Sequence, residues 1–202
     1  LFSCNSFLDL KPYGKTIPKN AEEYSAMIHT MLNNIELDKD SYILPSTSDI
    51  ITNEAIADNL DANIFLGQEI IPYYVGQRLN SQIYSRVYQN IRNCNIVLDG
   101  LANDNTELGK TVKSASYAIR GVSYFELLKY YCLPVAGGVY PELGMPIVDY
   151  FDMEARPVRS SYRETVEYIE SNLIKAVELN RDDDLYIFTS DAVKFDLSRF
   201  YF

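Results

Sequence analysis

The sequence predicts an all-α protein in which antiparallel helix pairs are joined by long irregular loops. Three observations support this fold class. Apolar residues recur at helical spacing in separate segments, helix-capping signals precede several of those segments, and clusters of Gly, Pro, Asn and Asp separate them. The 202 residues are 47% hydrophobic and 23% charged, as is typical of a folded domain. A chain of this length can bury a core, so we expect one helical domain.

The helical domain is expected over residues 20–202. Residues 1–19 are predicted to form an extended leader, because Pro12 and Pro18 disfavour a regular element there. The sequence ends with three consecutive aromatic residues, at 200–202, on what reads as an apolar helix face. A complete domain rarely exposes such a group. We therefore expect a further C-terminal portion.

The first helix is predicted to begin at Asn20, because Glu23 three residues later completes a pattern similar to a capping box. It should continue to about Asn33. From 36 to 78 the helical periodicity fades and Asn, Asp, Ser and Thr become frequent. A long stretch of this kind inside a compact protein is usually functional or disordered.

The clearest helix pair is predicted over residues 79–101 and 106–131. The Asn/Asp run at 103–105 separates the two, and so short a connection makes them antiparallel neighbours. The apolar stripe of the first comprises Ile83, Val87, Ile91, Cys94, Leu98 and Leu101, and that of the second Val112, Ala115, Ile119, Val122, Phe125, Leu128 and Tyr131. Small residues at Ser114, Ala115, Ala118 and Gly121 should permit close helix packing.

Residues 132–160 are rich in Gly and Pro and should form an irregular loop, with a short strand expected at 146–148. Ser161 and Glu164 then form a capping box that opens a helix to about residue 180. Ser190 is predicted to cap a last helix.

The amino terminus has the pattern of the end of a bacterial lipoprotein signal. An apolar residue lies three positions before Cys4 and a small one directly before it, which predicts lipidation of the Cys4 thiol. The other cysteines, Cys94 and Cys132, fall on consecutive antiparallel helices about 27 Å apart. A disulfide needs α-carbons within about 7 Å, so we expect two free, buried thiols.

Charge and motifs argue against several function classes. Eighteen basic and 28 acidic residues give a net charge of −10, unsuited to nucleic acid or to electrostatic adsorption on anionic lipid. The single histidine, His29, cannot form a zinc site alone, and the Asp run at 182–184 is typical of a solvated turn. Gly137 and Gly138 lack the Lys of a phosphate-binding loop. We predict no enzymatic activity, no catalytic residue, no metal and no cofactor.

Five segments in order resemble the SusD/RagB-like outer-membrane lipoproteins. They are residues 4–12 (Cys followed by Phe-Leu-Asp and Pro), 84–98 (Tyr…Ile…Cys-Asn…Leu), 118–128 (Tyr-Phe-x-Leu), 144–148 (Gly-Met-Pro-Ile-Val) and 159–179 (Arg-Ser-Ser and its helix). The resemblance implies the N-terminal portion of a tetratricopeptide-like scaffold. It also implies a lipid anchor on the outer membrane of a Gram-negative bacterium, and a role as the lid of a TonB-dependent, SusC-like transporter. The ligand is usually a glycan and in some members a peptide.

Candidate ligand residues lie in the weakly periodic segment. In the family, part of the ligand site precedes the Tyr-x-x-Ile helix, often with a Trp. This chain has no Trp, so Tyr73 or Tyr74 would form the platform on which a sugar ring packs. Hydroxyl partners would be Asp49, Asp58, Gln77 and Arg78. Two alternatives stay open: these aromatics only pin the loop to the helices, or the protein is a helical-repeat adaptor that contacts other proteins.

Overall fold

The computed structural model describes residues 18–36, 43, 81–150, 152, 154, 156–179 and 188–201. These ranges contain five helices and no β-strand, which confirms the all-α prediction. We number the helices α1 (Ala21–Glu36), α2 (Ser81–Gly100), α3 (Glu107–Tyr131), α4 (Tyr162–Leu179) and α5 (Ser190–Tyr201).

Helix α3 is the centre of the fold and contacts each of the other four helices. Its residues are buried on almost every side from Gly109 to Leu128, which explains why small side chains are frequent along it. At Gly121, an added Cβ would lie 2.8 Å from Leu173 Cδ2 on α4. The predicted close approach of helices at this glycine is confirmed.

The helices pack as antiparallel pairs in regular register. Between α2 and α3, the Tyr84 ring packs against Tyr131 near one end of the pair, and Asn95 bonds to Arg120 further along. Between α3 and α4, the Ser114 hydroxyl donates to the Ala176 carbonyl at 3.0 Å. The antiparallel arrangement predicted from the short connection at 103–105 is confirmed.

The helix starts follow the predicted caps, with one exception. The Ser161 N–H donates to Glu164 Oε2 at 2.8 Å and the Glu164 N–H donates to Ser161 Oγ at 3.2 Å, as a capping box requires. Thr106 caps α3 by accepting from the Gly109 N–H at 3.0 Å. For α5 the prediction was one residue late, because the Ala192 N–H bonds to Thr189 Oγ1 and Ser190 is already helical.

Two further predictions were wrong in detail. Residues 146–148 form no strand, because side chains of α2 and α3 take their backbone groups, as described below. On α2, Val97 is buried and Leu98 only half-buried, so the apolar stripe turns by one residue from the predicted position.

Cys94 and Cys132 are free thiols, as expected, although Cys132 is only partly buried. Within the described ranges, no helix combines the length and hydropathy that crossing a membrane requires.

Candidate functional site

The loop that joins α3 to α4 is held on the N-terminal end of α4 by backbone hydrogen bonds. Leu143 and Ser161 form an isolated antiparallel bridge, and the Gly144 N–H donates to the Ser160 carbonyl at 2.8 Å. The next N–H, that of Met145, donates to Thr165 Oγ1 at 2.9 Å. The loop is therefore fixed at its middle, where Gly144 and Met145 are buried.

Tyrosine hydroxyls hold the following stretch of the loop. Tyr124 OH accepts from the Val148 N–H at 2.7 Å, and Tyr88 OH donates to the Pro146 carbonyl at 2.8 Å. Burial raises the pKa of both tyrosines far above the ordinary value. These side chains replace the neighbouring strand that residues 146–148 would otherwise need.

A buried arginine links three elements behind this stretch. Arg120 is 5% exposed and donates from Nε to Asn172 Oδ1 and from Nη1 to Asn95 Oδ1, both at 2.8 Å. The amide of Asn95 in turn donates to the Val148 carbonyl at 2.9 Å. The Arg120 guanidinium lies 5.4 Å from the Tyr168 ring centroid, and burial raises the pKa of Tyr168 to about 12. We call Arg120, Asn95 and Asn172 the arginine node.

A second arginine ties the start of the loop to its end. Arg159 donates from Nε to the Gly144 carbonyl at 2.6 Å and from Nη2 to the Tyr131 carbonyl at 3.0 Å. The second contact satisfies a backbone acceptor at the C-terminal end of α3. Nη2 also lies 3.3 Å from Cys132 Sγ. Burial raises the pKa of the Cys132 thiol, and the hydrogen bond and positive charge of Arg159 oppose this rise.

The outer side of this fixed loop exposes several large apolar side chains. Gly137 and Gly138 make its tight turn, both with positive φ (58° and 77°), between the bridged residues Ala136 and Val139. Large apolar side chains exposed along the loop are Leu133, Val135, Val139, Tyr140, Leu143, Tyr150 and Val158. Exposed apolar surface of this kind is typical of a contact site for a ligand or a partner.

The residues predicted from the sequence to bind a ligand are not among those described. Asp49, Asp58, Tyr73, Tyr74, Gln77 and Arg78 lie outside the described residues, and so does the predicted lipidation site, Cys4.

Sequence reasoning missed the arginine node and the tyrosines that hold the loop. Arg120 lies outside the predicted apolar stripe of α3, so the helical pattern did not indicate that its side chain is buried. No local pattern reveals that its partners, Asn95 and Asn172, lie 25 and 52 residues away along the chain.

Comparison with known proteins identifies the family. Residues 6–202 match the SusD-like proteins, described as starch-binding and associating with the outer membrane. The chain belongs to the SusD-like family. Members of this family are binding proteins associated with the outer membrane. No curated protein is significantly similar to the chain.

Solved structures share the SusD-like fold. A putative sugar-binding protein from Bacteroides vulgatus matches with a TM-score of 0.64 and 21% identity, over 93% of this chain and 43% of that one. A SusD homologue from Bacteroides thetaiotaomicron matches with a TM-score of 0.59 and 17% identity, over 92% and 36%. A SusD superfamily protein from the same species is 26% identical with a TM-score of 0.54, over 59% and 28%. The chain thus spans less than half the length of each structure.

Proposed function

We propose that this SusD-like protein binds an oligosaccharide at the outer-membrane surface and delivers it to a TonB-dependent, SusC-like transporter without chemically changing it. The family match over residues 6–202 carries this proposal. A sugar-binding role is also given to the Bacteroides vulgatus protein, whose fold this chain shares.

The described scaffold supports a binding role because its polar side chains hold the α3–α4 loop in a fixed position. The tyrosine hydroxyls of Tyr88 and Tyr124 and the arginine node bond to backbone groups or to each other. Ligand surfaces gain affinity when they are held in place before binding, because less conformational entropy is then lost. The segment with the proposed ligand residues leads directly into α2, which is part of this scaffold.

Replacing Tyr73 or Tyr74 with alanine is expected to weaken glycan binding about tenfold or more, because the ring face that packs against the sugar is lost. Replacing Asp49, Asp58, Gln77 or Arg78 with alanine should weaken glycan binding by a similar factor, because a hydrogen bond to a sugar hydroxyl is lost. The measurement is a glycan array with the full-length protein, followed by calorimetric titration of the best-bound glycan.

Phe195→Ala is the matched control, because Phe195 is 65% exposed on α5 and is not among the proposed ligand residues. Its affinity should equal that of the wild type. Binding of peptides and of no glycan would move the protein to the peptide-capturing branch of the family. Release of a shortened sugar during the titration would contradict a role without catalysis.

We further propose that a lipid on Cys4 anchors the protein to the outer membrane with its helical domain facing outward. In a Gram-negative host, the full-length precursor should fractionate with the outer membrane, and its N-terminal peptide should carry the mass of the diacylglycerol. Cys4→Ala should remove both properties, whereas Cys132→Ala, a thiol in the helical domain, should keep both. A Cys4→Ala protein that stays in the membrane fraction would show that another contact anchors it. Protease treatment of intact cells tests whether the helical domain faces outward.

A further inference from the structure

We propose that Tyr140 and Tyr162 form an additional sugar-stacking surface, located at the C-terminal end of α3 and distinct from the ligand residues proposed above. We call these two residues the tyrosine platform. The inference rests on the proposed function, because it takes an oligosaccharide as the ligand.

The two rings present a surface of the right size and kind. Tyr140 is 62% exposed, and its ring centroid lies 6.0 Å from that of the half-buried Tyr162, with the planes tilted by 55°. An aromatic face packs against the apolar C–H face of a pyranose ring, while the phenol hydroxyls remain able to bond to sugar hydroxyls. Because the two tyrosine rings are tilted, they can contact one sugar unit of an oligosaccharide on its face and the next sugar unit on its edge.

The backbone fixes Tyr140 in place without burying its ring. The Tyr162 N–H donates to the Glu142 carbonyl at 3.1 Å, and Leu143 is bridged to Ser161. These contacts hold the segment that carries Tyr140 beside the first turn of α4. The exposed ring is therefore positioned in advance, and binding does not have to order it.

Hydrogen-bonding groups lie next to the platform. The Cys132 thiol is close enough to Tyr162 to contribute to the raised pKa of that phenol, after burial, and Arg159 Nη2 lies 3.3 Å from the thiol. Arg159 is exposed, and its Nη1 has no bonded partner in the part of the chain that the structure describes. A guanidinium held in place by bonds from Nε and Nη2 is a suitable donor for sugar hydroxyls through its remaining N–H groups.

The aromatic surface continues from the platform toward the start of α2. Cys132 adjoins Tyr131, whose ring meets that of Tyr84 edge-on at 5.3 Å between centroids. Tyr84 is 37% exposed and lies in the first turn of α2. The aromatic surface therefore extends from the platform to the first turn of α2.

The test uses the full-length protein and the glycan that binds best on the array. We expect Tyr140→Ala to weaken its affinity about tenfold and Tyr140→Phe to keep affinity within about twofold, because the stacking face is retained. Phe195→Ala, which removes an aromatic ring of similar exposure on α5 (65%), should leave affinity unchanged. Thermal unfolding of each variant shows whether it is folded, and Tyr140→Phe gives a second readout should Tyr140→Ala be unstable.

The outcomes separate the two proposals. A wild-type protein that binds no glycan overturns both the proposed function and the platform. If the wild type binds and Tyr140→Ala binds equally well, the platform is wrong and the proposed function stands. If Tyr140→Phe binds as weakly as Tyr140→Ala, the hydroxyl and not the ring face makes the contact, and stacking is wrong.

Discussion

Replacing Arg120 with methionine is expected to lower the free energy of unfolding by about 2–5 kcal/mol, the largest single effect we predict in the scaffold. The Oδ1 atoms of Asn95 and Asn172 each accept from the Arg120 guanidinium at 2.8 Å. Both asparagines are about 1% exposed. Methionine fills much of the same space but donates no hydrogen bond, so two buried acceptors lose their partner.

The measurement is urea denaturation of the full chain, in which the midpoint should fall while the slope stays constant. Arg92→Met is the matched control, because Arg92 is exposed on α2 and its one described bond is a 3.5 Å contact with the adjacent Asn93. It should change stability by less than about 0.5 kcal/mol. A loss below about 1 kcal/mol for Arg120→Met would mean that water satisfies both amides.

The effect should spread from the arginine node to the loop. Asn95 is oriented by Arg120 through its oxygen and bonds through its nitrogen to the Val148 carbonyl. When the oxygen loses its donor, the amide is free to rotate and the second bond weakens as well. Faster hydrogen exchange at Val148 and its neighbours in Arg120→Met would report this coupling.

The helices were predictable because their signals are local. Ser161 and Glu164 lie three residues apart, and the structure places both hydrogen bonds of the predicted capping box between them. Apolar spacing likewise located α2 and α3, with an error of one residue where Val97 replaces Leu98 in the core. A signal contained in four to seven consecutive residues requires no knowledge of the tertiary fold.

The arrangement of the α3–α4 loop was not predictable, because its partners are distant along the chain. The motif Pro146-Ile147-Val148 has the composition of a strand, yet Tyr124, 24 residues earlier, takes the Val148 N–H. No local pattern distinguishes a strand from an extended segment whose backbone groups bond to side chains. The candidate ligand residues rest on the family resemblance alone, since Tyr73 and Tyr74 belong to a segment without periodicity.

Replacing Gly144 with alanine is expected to destabilise the protein by about 2–4 kcal/mol and to loosen the loop from α4. A Cβ at this position would lie 2.5 Å from the Ser161 carbonyl oxygen and would overlap Thr165 Oγ1. That hydroxyl accepts from the Met145 N–H at 2.9 Å, so it cannot move away without breaking the bond. Either the helix start or the loop must shift.

Gly137→Ala supplies the comparison, because it adds the same methyl group to the same loop where nothing lies within 4 Å. Its cost should be about 1–2 kcal/mol, from the positive φ of 58° alone. Hydrogen exchange should accelerate at the Met145 amide in Gly144→Ala and stay slow there in Gly137→Ala. In a Thr165→Ala background the added cost of Gly144→Ala should shrink, since the shortest of the three overlaps, that with Thr165 Oγ1, is gone. Equal costs in both backgrounds would place the strain at the Ser161 carbonyl and the Cβ of residue 165, and not at the Thr165 hydroxyl.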